Sequence, residues 1–160
     1  MQQPTPPPSV ERVMQALTAL GARGQVRPLD ESARTAKEAA AALGVEVGQI
    51  ASSLIFLADG DPVLVIASGG HRVDTNKVAA LLGVSQVGKA TADDVRAATG
   101  FVIGGVSPVG LTSQLRTIVD VALEQYEVVW AAGGHSHWVF PTTYGELLRF
   151  TGGQSAEIRE

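Results

Sequence analysis

The chain predicts an α+β fold, a single compact domain in which a mixed, largely antiparallel sheet is surrounded by helices. Three observations predict it. Strand-length apolar runs and helix-length amphipathic stretches are interleaved without regular βαβ repetition. Ser53 to Ala58 and Val63 to Ala67, joined by Asp59-Gly60-Asp61-Pro62, read as a hairpin, which is antiparallel by construction. A composition of 45% hydrophobic and 18% charged residues over 160 positions supports one sizeable core rather than disorder.

The elements follow in order. Residues 1–8, four of them proline, predict an extended or disordered tail. Ser9 is placed to cap a helix whose Val10, Val13, Met14, Leu17 and Leu20 share one face, with Gly21 as its stop. Gln25 to Leu29 is a short strand candidate. Thr35 and Glu38 form a capping box that opens an alanine-rich helix to Leu43, ended by Gly44. After the hairpin, a helix starts near Asp74 or Thr75, carries Val78, Leu81 and Leu82, and ends at Gly83. Thr91 and Asp94 open another, closed by Gly100.

The apolar run Phe101 to Ile103 predicts a strand that empties into Gly104-Gly105-Val106-Ser107-Pro108. Thr117 to Val119 is a strand, Ala122 to Tyr126 one helical turn, and Glu127 to Ala132 a strand. Gly133-Gly134 turns the chain into a strand over His137 to Phe140. Thr143 begins a last helix bearing Leu147, Leu148 and Phe150. The domain is expected to span 9–153, with 154–160 as a C-terminal tail.

Composition also excludes. The net charge of −4 argues against a general nucleic-acid coat and against a DNA-binding protein, while leaving room for a pocket that holds a short RNA end. With no cysteine there is no disulfide, thiol nucleophile or thiolate metal site. No apolar run approaches the roughly 20 residues that span a bilayer, and the N-terminus lacks the basic-then-apolar pattern of a secretory signal. The expectation is a cytoplasmic protein without a membrane partner.

The Gly104 to Pro108 bend is the leading candidate site. Glycine permits positive φ and close approach, proline fixes the exit, and such a bend can turn peptide N–H groups toward a ligand oxygen. Ser107 lacks the Gly-x-Ser-x-Gly context of a nucleophile, so its hydroxyl is assigned to orienting substrate. His135 and His137 are two residues apart on a strand, and a zinc site needs a third protein ligand, so no metal and no cofactor are predicted. Gly69-Gly70 precedes a helix beside Arg72 and Lys77. Anion binding is one reading of it, but Asp74 as an N-cap makes a structural turn the favoured one. Trp130 and Trp138 read as core or rim packing.

Five segments together resemble the YbaK/EbsC family, the prolyl-tRNA editing-domain superfamily of aminoacyl-tRNA deacylases. They are Thr35 to Ala40, Gln49 to Phe56, Ser68 to Lys77, Thr99 to Gly110 and Gly133 to Thr143, and they occur in the family's order. The resemblance implies the family's α+β fold. It also implies hydrolysis of the ester that joins a wrong amino acid to the 3′-terminal adenosine of a tRNA. The Gly-x-x-x-Pro loop matches Gly104 to Pro108, so Gly104, Gly105 and Ser107 are the implied catalytic positions, with Val106 and Pro108 in contact with substrate. The attacking water is implied to be positioned with help from the substrate's ribose hydroxyl.

One departure stands out. Relatives carry lysine in the motif Ile-x-Lys-[Ser/Thr]-Leu, where this chain has Ser52, too short and uncharged to reach a phosphate or ribose. Arg72 and Lys77 are the candidate substitutes, and His135 and Thr143 are placed at the rim. The implied activity is that of a free-standing trans-editing deacylase, a carboxylic-ester hydrolase acting on the aminoacyl-tRNA acceptor end, with an aminoacyl-tRNA synthetase as the partner that delivers substrate. The alternative is a non-catalytic module that binds a tRNA 3′ end, nucleotide or aminoacyl group. A serine or metal hydrolase acting on small esters is a third reading.

Overall fold

A computed structural model describes residues 4–160, so part of the expected N-terminal tail (1–3) lies outside the described residues. Pro4 to Pro7 has no regular structure, and helix α1 (Pro8–Leu20) starts two residues earlier than a cap at Ser9 would place it. Pro7 is the N-cap and Pro8 opens the first turn, where a missing N–H costs nothing. Ser9 is therefore inside the helix and does not cap it. Val10, Val13 and Leu17 are buried, as their spacing predicts.

The hairpin is β2 (Ala51–Ala58) with β3 (Asp61–Ser68), in register from Ala51 opposite Ser68 to Ala58 opposite Asp61. Asp59 and Gly60 both have positive φ, 47° and 90°, the two-residue turn whose twist suits a hairpin. The expected four-residue connection is thus shorter, because Asp61 and Pro62 already belong to β3.

The strands fall into two sheets rather than one. The larger runs β4 (Val87–Lys89), β2, β3, β5 (Thr117–Asp120), β8 (Gln154–Ala156). Its β3–β5 and β5–β8 pairs are parallel and the others antiparallel. The smaller, wholly antiparallel, runs β1 (Arg27–Pro28), β7 (Trp138–Thr142), β6 (Val129–Ala132). An isolated bridge between Ile50 and Trp130 links β6 to the start of β2. The result is the predicted α+β domain, with Leu64, Ile66, Phe101, Val119, Phe140 and Leu147 in its largest core cluster.

Four further helices carry the predicted caps. These are α2 (Ala36–Leu43), α3 (Thr75–Leu82), α4 (Ala92–Thr99) and α5 (Tyr144–Thr151), opened by Thr35, Asp74, Thr91 and Thr143. Each cap side chain accepts a first-turn amide, an interaction of about 1 kcal/mol. No helix among the described residues is long and apolar enough to cross a membrane.

Two expectations are corrected. Residues 154–160 are not a tail: β8 pairs with β5, Ile158 is fully buried, and Arg159 bridges Val73. Phe101 to Ile103 is not a strand. Only Phe101 is buried, while Val102 and Ile103 are 60% and 57% exposed. The chain instead turns, the Gly105 amide donating to the Val102 carbonyl at 2.9 Å. Arg12 of α1 braces both ends of this loop. Its Nε donates to the Gly110 carbonyl at 2.6 Å, its Nη2 to the Gly100 carbonyl at 3.2 Å, and the guanidinium lies 4.5 Å from the Phe101 ring centroid.

Candidate active site

The site grows out of an interruption in strand pairing. On the side away from β3, β2 pairs with β4 only from Phe56 onward, and at Ile50 the chain bridges Trp130. Between those points the strand has no partner on that edge, and alternate residues of an antiparallel strand direct their peptide groups outward. A cavity of about 380 Å³ lies there. Its walls come from β2, the start of α2, β6, β7 and the loop at Ile103, Gly104 and Val106. Trp130 and Trp138, read from sequence as packing, both contribute to this wall.

The wall is mostly apolar, and much of it is alanine: Ala33, Ala36, Ala39, Ala131 and Ala132. No acidic side chain borders it, and its cations are Arg34 and Lys89, both exposed. The Oγ of Ser53, also in the wall, is buried without a hydrogen-bond partner among the described residues. Such a group is costly to leave unmatched, by about 1–3 kcal/mol, and is best satisfied by a ligand or water.

The loop meets the cavity through its backbone. Gly104 has φ of 95°, and a Cβ there would lie 3.3 Å from Cβ and Cγ of Arg34. A Cβ on Gly105 would lie 2.7 Å from the His135 Cα, so this glycine is needed for backbone-to-backbone contact. The Gly105 amide is engaged within the loop, whereas those of Gly104, Val106 and Ser107 donate no hydrogen bond among the described residues. Gly104 and Val106 border the cavity and can present their amides to a ligand oxygen.

The other predicted residues divide. Ser52 borders the cavity. Ser107 does not. It is fully buried, and its Oγ accepts from the Val109 amide at 3.1 Å, which stiffens the loop from within. Pro108 is also buried away from the wall. Thr143 caps α5, accepting from the Glu146 amide at 3.0 Å. The exposed His135 lies behind Gly105, its Nδ1 accepting from the His137 amide at 3.1 Å. No group of three or more His, Asp or Glu able to hold a metal occurs among the described residues.

Neither expected lysine substitute reaches this cavity. Lys77 is tied to the C-terminal segment, with Nζ at 2.7 Å from both a Glu157 carboxylate oxygen and the Arg159 carbonyl. Arg72 borders a neighbouring cavity. The cations that do border the site, Arg34 and Lys89, escaped the sequence reading. Arg34 sits just before a helix cap. Lys89 ends a three-residue strand with no apolar pattern to announce it.

Residues 30–150 match the aminoacyl-tRNA editing domain family. A solved structure of a candidate trans-editing enzyme for prolyl-tRNA synthetase superposes with a TM-score of 0.91 at 44% identity, covering 98% of this chain and 99% of that one. EbsC of Enterococcus faecalis, a candidate Cys-tRNA(Pro)/Cys-tRNA(Cys) deacylase, is 30% identical over 78% of this chain and 76% of its own length. The proline–tRNA ligase of Nitratidesulfovibrio vulgaris is 35% identical over 64% of this chain, a match that spans only 18% of the ligase.

Proposed function

The chain belongs to the aminoacyl-tRNA editing-domain family, and from that membership we propose how its cavity works: the 3′-terminal adenosine of a mischarged tRNA enters it and the aminoacyl ester is hydrolysed against the Gly104–Val106 backbone. The protein is an aminoacyl-tRNA deacylase of the free-standing kind, a hydrolase of carboxylic esters. The observation that carries the mechanism is a wall with unengaged peptide donors but no carboxylate and no imidazole to act as a base.

An aminoacyl ester is activated, so orientation and charge stabilisation suffice. Water adds to the acyl carbon, and the negative charge that develops on the carbonyl oxygen is received by the Gly104 and Val106 amides. The bond from acyl carbon to ribose oxygen then breaks, and the proton released by water ends on that ribose oxygen. The adjacent ribose hydroxyl holds the water. Ser53 donates to the substrate, and the Lys89 ammonium supplies the charge that Ser52 lacks. The alanine-rich wall fits a small, uncharged aminoacyl group.

A synthetase that delivers the substrate and a cytoplasmic setting complete the proposal, the former supported by the likeness to a segment of a proline–tRNA ligase. The test is a deacylation panel of alanyl-, seryl-, threonyl- and cysteinyl-tRNA, each on more than one tRNA body. Hydrolysis of at least one above the spontaneous rate is expected. The serine at position 52 motivates one other reading, a module that binds the acceptor end without turnover. Saturable binding of a non-hydrolysable aminoacyl-adenosine analogue, with no hydrolysis across the panel, would establish it.

A further inference from the structure

We propose that a second cavity, of about 530 Å³ and sharing Ser52 and Lys89 with the first, receives the nucleotide that precedes the terminal adenosine. Arg72 and Lys89 contact its phosphodiester and His71 reads its 2′-hydroxyl. The inference rests on the first cavity taking the adenosine, and it names the next ligand group along the same strand.

Asp120 lies at the end of β5. It is 1% exposed, and its carboxylate accepts from the Ser68 amide at 2.9 Å, from the Ala122 amide at 2.9 Å and from His71 Nε2 at 2.7 Å. An ionised carboxylate only accepts, so Nε2 carries the proton of this bond. That fixes the ring and leaves Nδ1 as its acceptor in the neutral form. Nδ1 has no partner among the described residues, and His71 borders the second cavity. An oriented acceptor of this kind matches the hydroxyl that distinguishes RNA from DNA.

Charge favours the same ligand. Arg72 and Lys89 border the cavity, opposed by a single acidic side chain among its wall residues, Glu160, whose amide donates to the Arg72 carbonyl at 3.1 Å. Backbone anion binding is not the explanation. The Gly69 amide donates to the Ile50 carbonyl and the Gly70 amide to Ser68 Oγ, while Asp74 occupies the start of α3. Recognition therefore falls to side chains.

The test is equilibrium binding to uncharged ligands, which does not depend on turnover. The wild-type protein is expected to bind the trinucleotide cytidyl-cytidyl-adenosine at least tenfold more tightly than adenosine. Replacing the ribose before the terminal adenosine with 2′-deoxyribose should weaken binding at least threefold. Arg72→Gln should shrink the tenfold gap below threefold, and His71→Leu should abolish the ribose preference. Both wild-type comparisons stand even if a variant folds poorly. Equal affinity for trinucleotide and adenosine, indifference to the 2′-hydroxyl, or displacement of the trinucleotide by equimolar inorganic phosphate would each overturn the proposal. A protein that hydrolyses no aminoacyl-tRNA yet shows both preferences keeps the subsite and loses the deacylase mechanism; hydrolysis without the preferences does the reverse.

Discussion

Two glycine pairs follow apolar sequence in this chain and look alike on paper, but they do opposite things. At Gly69-Gly70 both amides are bonded internally, and a Cβ on Gly69 would lie 2.6 Å from the Ala36 Cβ and 2.7 Å from the Val47 carbonyl oxygen. That pair exists for packing. At Gly104-Gly105 one glycine presses on the His135 backbone while its neighbour, at positive φ, opens its amide to a cavity. The difference teaches that a glycine pair acquires chemistry only where the surrounding structure leaves its N–H groups unengaged.

Substitutions sharpen the contrast. Gly105→Ala should have the largest effect. Its methyl meets backbone that cannot yield, so the loop must move by a fraction of an ångström to an ångström, and a displacement of that size costs about 100-fold in rate. Gly104→Ala places alanine in the left-handed region at a strain of about 1–3 kcal/mol, against flexible atoms of Arg34. We expect deacylation to fall by about tenfold with the fold retained, since one well-oriented donor contributes a comparable factor or more. Circular dichroism beside single-turnover kinetics checks both variants.

Gly69→Ala should show the inverse pattern. Overpacking costs about 1–3 kcal/mol, read as a drop in Tm of several degrees, with far less loss of activity per degree than Gly105→Ala shows. If the two variants lose activity in the same proportion to their loss of stability, the distinction between packing pair and chemical pair fails.

The smallest effect belongs to the C-terminal segment that neighbours the packing pair. The hydrogen bond from Lys77, then that from the Arg159 backbone, holds the Glu157 carboxyl below its ordinary value. A depressed folded-state value contributes stability above the ordinary carboxylate range and loses it as pH falls through the folded value. Glu157→Gln should therefore lower Tm slightly at neutral pH, leave the strongly acid end nearly unchanged, and so flatten the acid limb of a Tm-versus-pH curve. The pair is exposed, so salt should shrink the effect further.

Much of the frame was legible in the sequence because it rests on local chemistry. Thr35, Asp74, Thr91 and Thr143 announce helix starts through their own hydrogen bonds, and Asp59-Gly60 announces its turn through φ. The elements that failed are those whose state is decided by distant partners. Phe101 to Ile103 has strand composition but no strand to pair with, and Gln154 to Ala156 has none of that composition yet pairs because β5 offers an edge. The site divides in the same way. The Gly104 bend and Ser52 were visible as motifs. Ser53, Arg34 and Lys89 come to line one cavity only when β2, α2 and β4 converge, and Ser107, read as orienting substrate, is buried with its hydroxyl turned into the loop.

The stretch of β2 without a strand neighbour has one more consequence. An open sheet border is a template on which a foreign chain can extend the sheet, and proteins usually blunt such borders with charge, bulges or cover. Here α2 and the braced loop roof it. The elements that shape the candidate site therefore also cover part of the edge on which a foreign strand could pair.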